Sequence, residues 1–231
     1  MKLDENLSKA INYTTMLFSD LGRLLILIIL DIIPIVNFVV LGYIGNVIKQ
    51  PKNSEELPPL EKYFDLWVQG LKIAVAAFIF MIIPLLLIGP FVFLVALSWL
   101  EFSFLSSVGW VLAIPLMLIG VLLAFFFGIL LSMAIVNMLK KDSFGEVFAF
   151  GKILVIIGKV GWGTYILWLL VIFVCSAVVA AMGGLPAVGW FLSLIVAPVF
   201  GIFVGRSASL VYIEGTESEE TAAPASSVEE A

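Results

Sequence analysis

Between Ile73 and Leu139 the chain carries one charged side chain, Glu101, and between Val160 and Gly205 it carries none. A bilayer core about 30 Å thick needs roughly 20 helical residues per crossing, so each stretch is long enough for two. With 62% hydrophobic and 13% charged residues over 231 positions, these runs cannot all be packed inside one water-soluble core of this size. In lipid every backbone N–H and C=O must be satisfied within the protein, which leaves helices or a closed barrel. Barrel strands alternate apolar and polar side chains, and these runs do not. The sequence therefore predicts an all-α, polytopic integral membrane bundle of about five membrane-embedded segments plus two or three amphipathic surface helices.

Along the chain, residues 1–20 read as an N-terminal amphipathic segment. Leu3, Leu7, Ala10, Ile11 and Phe18 recur at helical spacing between Asp4, Glu5, Ser8, Lys9 and Asn12, the pattern of a helix lying on a membrane surface. A single transmembrane domain is expected over 21–213, with embedded segments at about 21–48, 72–98, 111–138, 162–182 and 190–211. Surface helices are expected at about 58–70 and 143–157. The first opens on Leu57-Pro58-Pro59, since proline suits a first helical turn. The second opens on Ser143-Phe144-Gly145-Glu146, a capping-box spacing. Residues 214–231, rich in Glu, Ser, Ala and Pro, read as a disordered acidic tail. Tyr63, Trp67 and Gly70 match Phe144, Phe148 and Gly151 at a constant offset, which raises a duplicated architecture.

The run 21–48 has two readings, because Asp31, Pro34 and Asn37 interrupt its middle. It is either a single kinked crossing, the preferred reading, or a re-entrant pair of half-helices turning at Ile33-Pro34. The choice sets the side of the N-terminus. Lys49, Lys52, Lys62 and Lys72 mark one loop, and Lys140, Lys141, Lys152 and Lys159 another. The positive-inside rule places both, and the C-terminus, in the cytoplasm of a multi-pass cell-membrane protein. Trp99, Trp110, Trp162 and Trp190 fall near the expected interfaces.

Candidate polar intramembrane residues are Asp31, Asn37 and Arg206. A carboxylate in a hydrophobic run is expensive, and such groups usually face a bundle interior or a water-filled cavity. Asp31 beside a broken helix therefore marks either an ion or substrate path or a structural turn. Arg206, near the end of the last crossing, is expected to snorkel to the interface; the alternative is an internal partner for Asp31 or Glu214. Gly201 and Gly205 form a GxxxG motif, expected to pack helices within the protein, with homodimerisation as the alternative. Asn137 is expected to bond water or a helix end.

Catalytic, cofactor and metal readings find no support. Histidine is absent, Cys175 is alone, and no phosphate-binding glycine loop or acid–base pair has a recognisable spacing. The expectation is no enzyme, no cofactor and no metal. The net charge of −5 comes from Glu217, Glu219, Glu220, Glu229 and Glu230 near the C-terminus, and no basic patch implies nucleic acid. The expected partners are the lipid bilayer and other membrane proteins.

Gly42-Tyr43, Leu57-Pro58 before an aromatic helix with Asp65 and Gly70-Leu71-Lys72, and a last crossing ending in Val211-Tyr212 occur together in this chain. It resembles the domain-of-unknown-function family 4013, largely archaeal membrane proteins, over roughly Leu3 to Tyr212. Arg206 departs from that family's pattern. The resemblance implies the architecture and an archaeal cell membrane, and carries over no site residue. The leading functional expectation is a non-enzymatic scaffold, assembly or bilayer-organising protein. The alternative is a small transporter or channel built on the broken first helix at Asp31, Pro34 and Asn37.

Overall fold

The computed structural model describes residues 2–99 and 103–220. All regular structure among them is helical: α1 (Leu3–Ser19), α2 (Leu21–Ile32), α3 (Phe38–Lys49), α4 (Tyr63–Trp99), α5 (Ser103–Lys140), a short 3₁₀ helix (Phe144–Phe148), α6 (Phe150–Val160), α7 (Trp162–Gly183) and α8 (Gly189–Glu220). Helices α4, α5, α7 and α8 are long and apolar enough to cross a membrane, so the chain is a multi-pass helical membrane protein. The 22 residues of α7 give a helix of about 33 Å, close to the bilayer core.

Two compact units can be distinguished. One comprises the described residues up to Ile73 together with those from Met133 onward, and the other is Ala74–Ser132. The second unit is a helical hairpin. Its two arms meet through the Phe80–Phe127 and Phe91–Trp110 ring pairs and at Gly120, where an added Cβ would lie 3.1 Å from the Pro84 carbonyl oxygen. In the first unit α8 is the pillar, with α1, α2, α3, α6 and α7 packed around it. Its core joins Tyr13 and Leu17 of α1, Leu24 and Leu27 of α2, Val40, Tyr43 and Val47 of α3, and Ile202 of α8.

The run 21–48 is not one kinked crossing. Helices α2 and α3 have 12 residues each, about 18 Å, and they fold back on one another. Arg23 Nη1 lies 3.4 Å from the Tyr43 hydroxyl, whereas an uninterrupted helix would hold those residues about 30 Å apart. The reversal begins at Ile33, whose extended backbone (φ −92, ψ 111) ends α2, as the residue before proline prefers. Ile35 completes it at φ 74, a left-handed conformation that a β-branched side chain rarely adopts. Trp67 Nε1 donates to the Ile35 carbonyl at 2.7 Å, tying the turn to the start of α4.

Other boundaries differ from the sequence reading for local reasons. No separate surface helix occupies 58–70, because residues 63–70 are the first turns of α4. Gly70 alone costs a helix only about 1 kcal/mol, too little to break an apolar run. Ser143 makes no side-chain cap, since Glu146 is engaged by Asn137 and Lys152 instead, so the capping box is not formed. Helix α8 continues through Glu220, with Glu217 paired to Lys52, so the tail is helical over 214–220; its remainder, like Glu101, lies outside the described residues. Helix α1 buries Asn6, Ala10, Tyr13, Thr14 and Leu17 against protein, chiefly α8. The two matched aromatic-glycine sets are not equivalent: Gly70 is pressed against Phe38 and Gly42, and Gly151 has open space around it.

Candidate functional site

Four of the residues that carried the family resemblance, Gly42, Tyr43, Pro58 and Gly70, meet at one place. A Cβ on Gly42 would collide with the Leu66 backbone, and one on Gly70 with the Phe38 carbonyl and, at 2.9 Å, with the Gly42 nitrogen. The two glycines thus let α3 and α4 cross at backbone contact, a use of small residues common to membrane helices. Beside them Tyr43 donates its hydroxyl hydrogen to the Pro58 carbonyl at 3.2 Å, and Arg23 Nη1 donates to the same carbonyl at 3.2 Å. Gln69 Nε2 donates to the Gly42 carbonyl at 2.7 Å and to Asn46 Oδ1 at 2.9 Å. The motif is a structural clasp that fixes the 57–62 link against the hairpin.

A second polar cluster is strung along the C-terminal part of α8. Arg206 is 3% exposed. Its Nη1 donates to the Pro51 carbonyl at 2.9 Å, and its Nη2 to the carbonyls of Lys52 at 2.7 Å and Ser54 at 3.4 Å. The Tyr13 ring centroid lies 4.6 Å from its Cζ, within cation–π range. Arg206 therefore neither snorkels nor pairs with Asp31 or Glu214; it gathers the loop that follows α3. Burial pushes the Tyr13 phenol up to about 12, against the opposing pull of Arg206, so Tyr13 stays neutral and donates to the Glu56 carbonyl. One residue on, the Ser207 hydroxyl donates to Asn6 Oδ1 at 2.5 Å and accepts from Trp168 Nε1 at 2.8 Å. Ser209 donates to the Ile48 carbonyl at 2.7 Å, and Tyr212 to Asn137 Oδ1 at 2.8 Å. Asn137 in turn donates to the Glu146 carbonyl at 2.8 Å; the Lys152 ammonium, with Asn137, holds the Glu146 carboxyl below its usual range.

These bonds join α1, α3, α5, α7 and the loops to one helix. The sequence marks Arg206 and Asn137 as polar candidates but gives Asn6, Ser207 and Ser209 no buried role. Asn6 and Ser207 are ordinary surface types whose burial only the packing of α1 on α8 creates. The one legible signal was the density of polar side chains late in an apolar helix.

Asp31 and Asn37 are brought together by the hairpin turn, where Asn37 Nδ2 donates to Asp31 Oδ1 and lies 3.5 Å from the Asp31 carbonyl. The structure does not join them to Arg206, which bonds to loop carbonyls instead. Gly201 and Gly205 receive the Ile44 side chain of α3, so this GxxxG packs helices inside the protein. Clefts of about 350–560 Å³ occur at helix ends and loops, and Asp31 borders none of these five. Among the described residues no group of three His, Cys, Asp or Glu side chains is placed to hold a metal ion.

The charged loops also meet. Lys49 pairs with Asp142 at 2.8 Å and Lys140 donates to the Gln50 carbonyl at 2.8 Å, while Lys52 reaches Glu217. Both lysine-rich exits, α1 and the end of α8 therefore share one end of the first unit. In comparison with known proteins, a family model described as Protein of unknown function (DUF4013) matches residues 25–188. No curated protein and no solved structure matches the chain.

Proposed function

Since that match spans more than half of its length, the chain belongs to the DUF4013 family, and from this premise we propose that it is a non-enzymatic membrane protein that organises the bilayer or assembles other membrane components. The observation that carries this reading is where the polar groups and the apolar surface lie. Buried polar side chains of the first unit are engaged with one another and with backbone carbonyls, which holds elements together. Conversely, only 11%, 11% and 6% of the most apolar windows of α4, α5 and α7 is buried, against 50% for α8. Membrane helices this bare present surface to lipid or to neighbouring proteins. A transporter needs a polar route through the bilayer, and the candidate carboxylate is instead closed onto Asn37 within a tight turn.

In this proposal the protein lies in the cell membrane with its lysine-rich loops, C-terminus and N-terminal helix in the cytoplasm. The positive-inside rule supports the orientation, and the shared end described above supports placing α1 on that side. Native mass spectrometry of the protein, gently purified from its own membrane, tests the function. A stoichiometric protein partner that also retrieves this chain in the reciprocal purification supports assembly. A lone chain carrying a small molecule or ion that is lost in Asp31→Asn would sink the proposal in favour of transport.

A further inference from the structure

Arg206 leaves something uncompensated. Its two Nη groups are satisfied by loop carbonyls, but Nε is buried without an acceptor, and no carboxylate among the described residues pairs with the guanidinium. A buried donor without a partner and a buried charge without a counter-charge are both unfavourable. Arg206 is among the residues that line an open cleft of about 560 Å³ between α1 and the loop after α3. Three cations line this cleft, Lys9, Lys52 and Arg206, against one acid, Glu55. Lys9 is held by Glu5 and Lys52 by Glu217, but both pairs are solvent-exposed, and exposed pairs are weak enough to exchange for a better anion.

The geometry points to a phosphate. A phosphate offers several strong acceptor oxygens at once, which suits a guanidinium flanked by two ammonium groups. Position selects its source. Arg206 belongs to a candidate membrane-crossing helix, Tyr13 and Met16 give the cleft an apolar wall, and Phe18, Leu21 and Leu25 are exposed nearby in sequence on α1 and α2, where acyl chains can continue. We propose that this cleft binds the phosphate of an anionic phospholipid headgroup. The inference requires only that α8 enters the bilayer, and it goes beyond the scaffold reading without depending on it.

The test is native mass spectrometry of the full chain in detergent with equimolar phosphatidylglycerol and phosphatidylcholine. Wild type is expected to retain phosphatidylglycerol in preference. Lys9→Gln/Lys52→Gln, an exposed and a half-buried position outside the hydrophobic core, lowers that retention by about fivefold per lysine and leaves phosphatidylcholine unchanged. The control pair Lys141→Gln/Lys159→Gln keeps the preference. Equal retention of both lipids by wild type, an unaffected Lys9→Gln/Lys52→Gln variant, or an equal loss in the control pair overturns the proposal. Displacement of the lipid by millimolar inorganic phosphate also overturns it, since the cleft would then hold a soluble anion.

Discussion

At Arg206 a single guanidinium ties the 51–54 turn, itself closed by the Ser54 N–H donating to the Pro51 carbonyl at 3.2 Å, to α8. Three carbonyls converge on it because arginine presents its donors in a fixed planar fork. Arg206→Gln is therefore expected to destabilise the protein by about 3 kcal/mol, read as a lower thermal midpoint in detergent. Arg206→Lys should recover only part, since one ammonium cannot reach all three oxygens. Asp31→Asn should behave differently. The new amide oxygen can still accept from Asn37 Nδ2, so the expected change in stability is within about 1 kcal/mol. A large loss at Asp31 would show that its charge, and not only its acceptor, is needed.

Between elements, the decisive contact is the α3–α4 crossing. Gly42 and Gly70 leave no room for a methyl group because the obstacle on each side is backbone, which cannot rotate away. Gly42→Ala or Gly70→Ala should cost about 1–3 kcal/mol through overpacking. Gly158→Ala in α6, with open space around it, should be neutral or stabilising by up to about 1 kcal/mol through helix propensity. Comparing thermal midpoints of these three variants checks the crossing; equal effects would mean that the glycines matter only as weak helix formers. Gly205 belongs to the same logic with a softer obstacle, the Ile44 side chain, so a larger residue there should loosen α3 without changing the oligomeric mass.

On the scale of the whole molecule, the fold-back at Pro34 is what sets the topology. A single crossing over 21–48 would separate α1 from the lysine-rich loops, whereas the observed hairpin returns α3 beside α1 and lets both pack on the end of α8. With Cys175 replaced, single cysteines at Asn12 and Ser143 should share the same accessibility to an impermeant thiol reagent in intact cells. A cysteine at Ala187, in the turn between α7 and α8, should show the opposite. Identical labelling at Asn12 and Ala187 would contradict the hairpin.

By itself the sequence determined the class, a helical protein with several helices long and apolar enough to cross a membrane. Charge-free runs of bilayer length admit few folds, and length against a fixed membrane thickness is a constraint that needs no tertiary knowledge. It also marked the right break, since Pro34 removes a donor and restricts Ile33, but those local effects allow both a kink and a reversal. Only packing chose between them: Leu24, Leu27, Val40 and Tyr43 gain a common core with α8 when the helices fold back. The extent of α4 was hidden for a related reason, because amphipathic turns read alike whether they lie on a membrane or begin a longer helix. The buried polar cluster was least legible. Asn6 and Ser207 stand 201 positions apart, and hydrogen bonds between such positions are fixed by how helices dock, which no local pattern of side chains encodes.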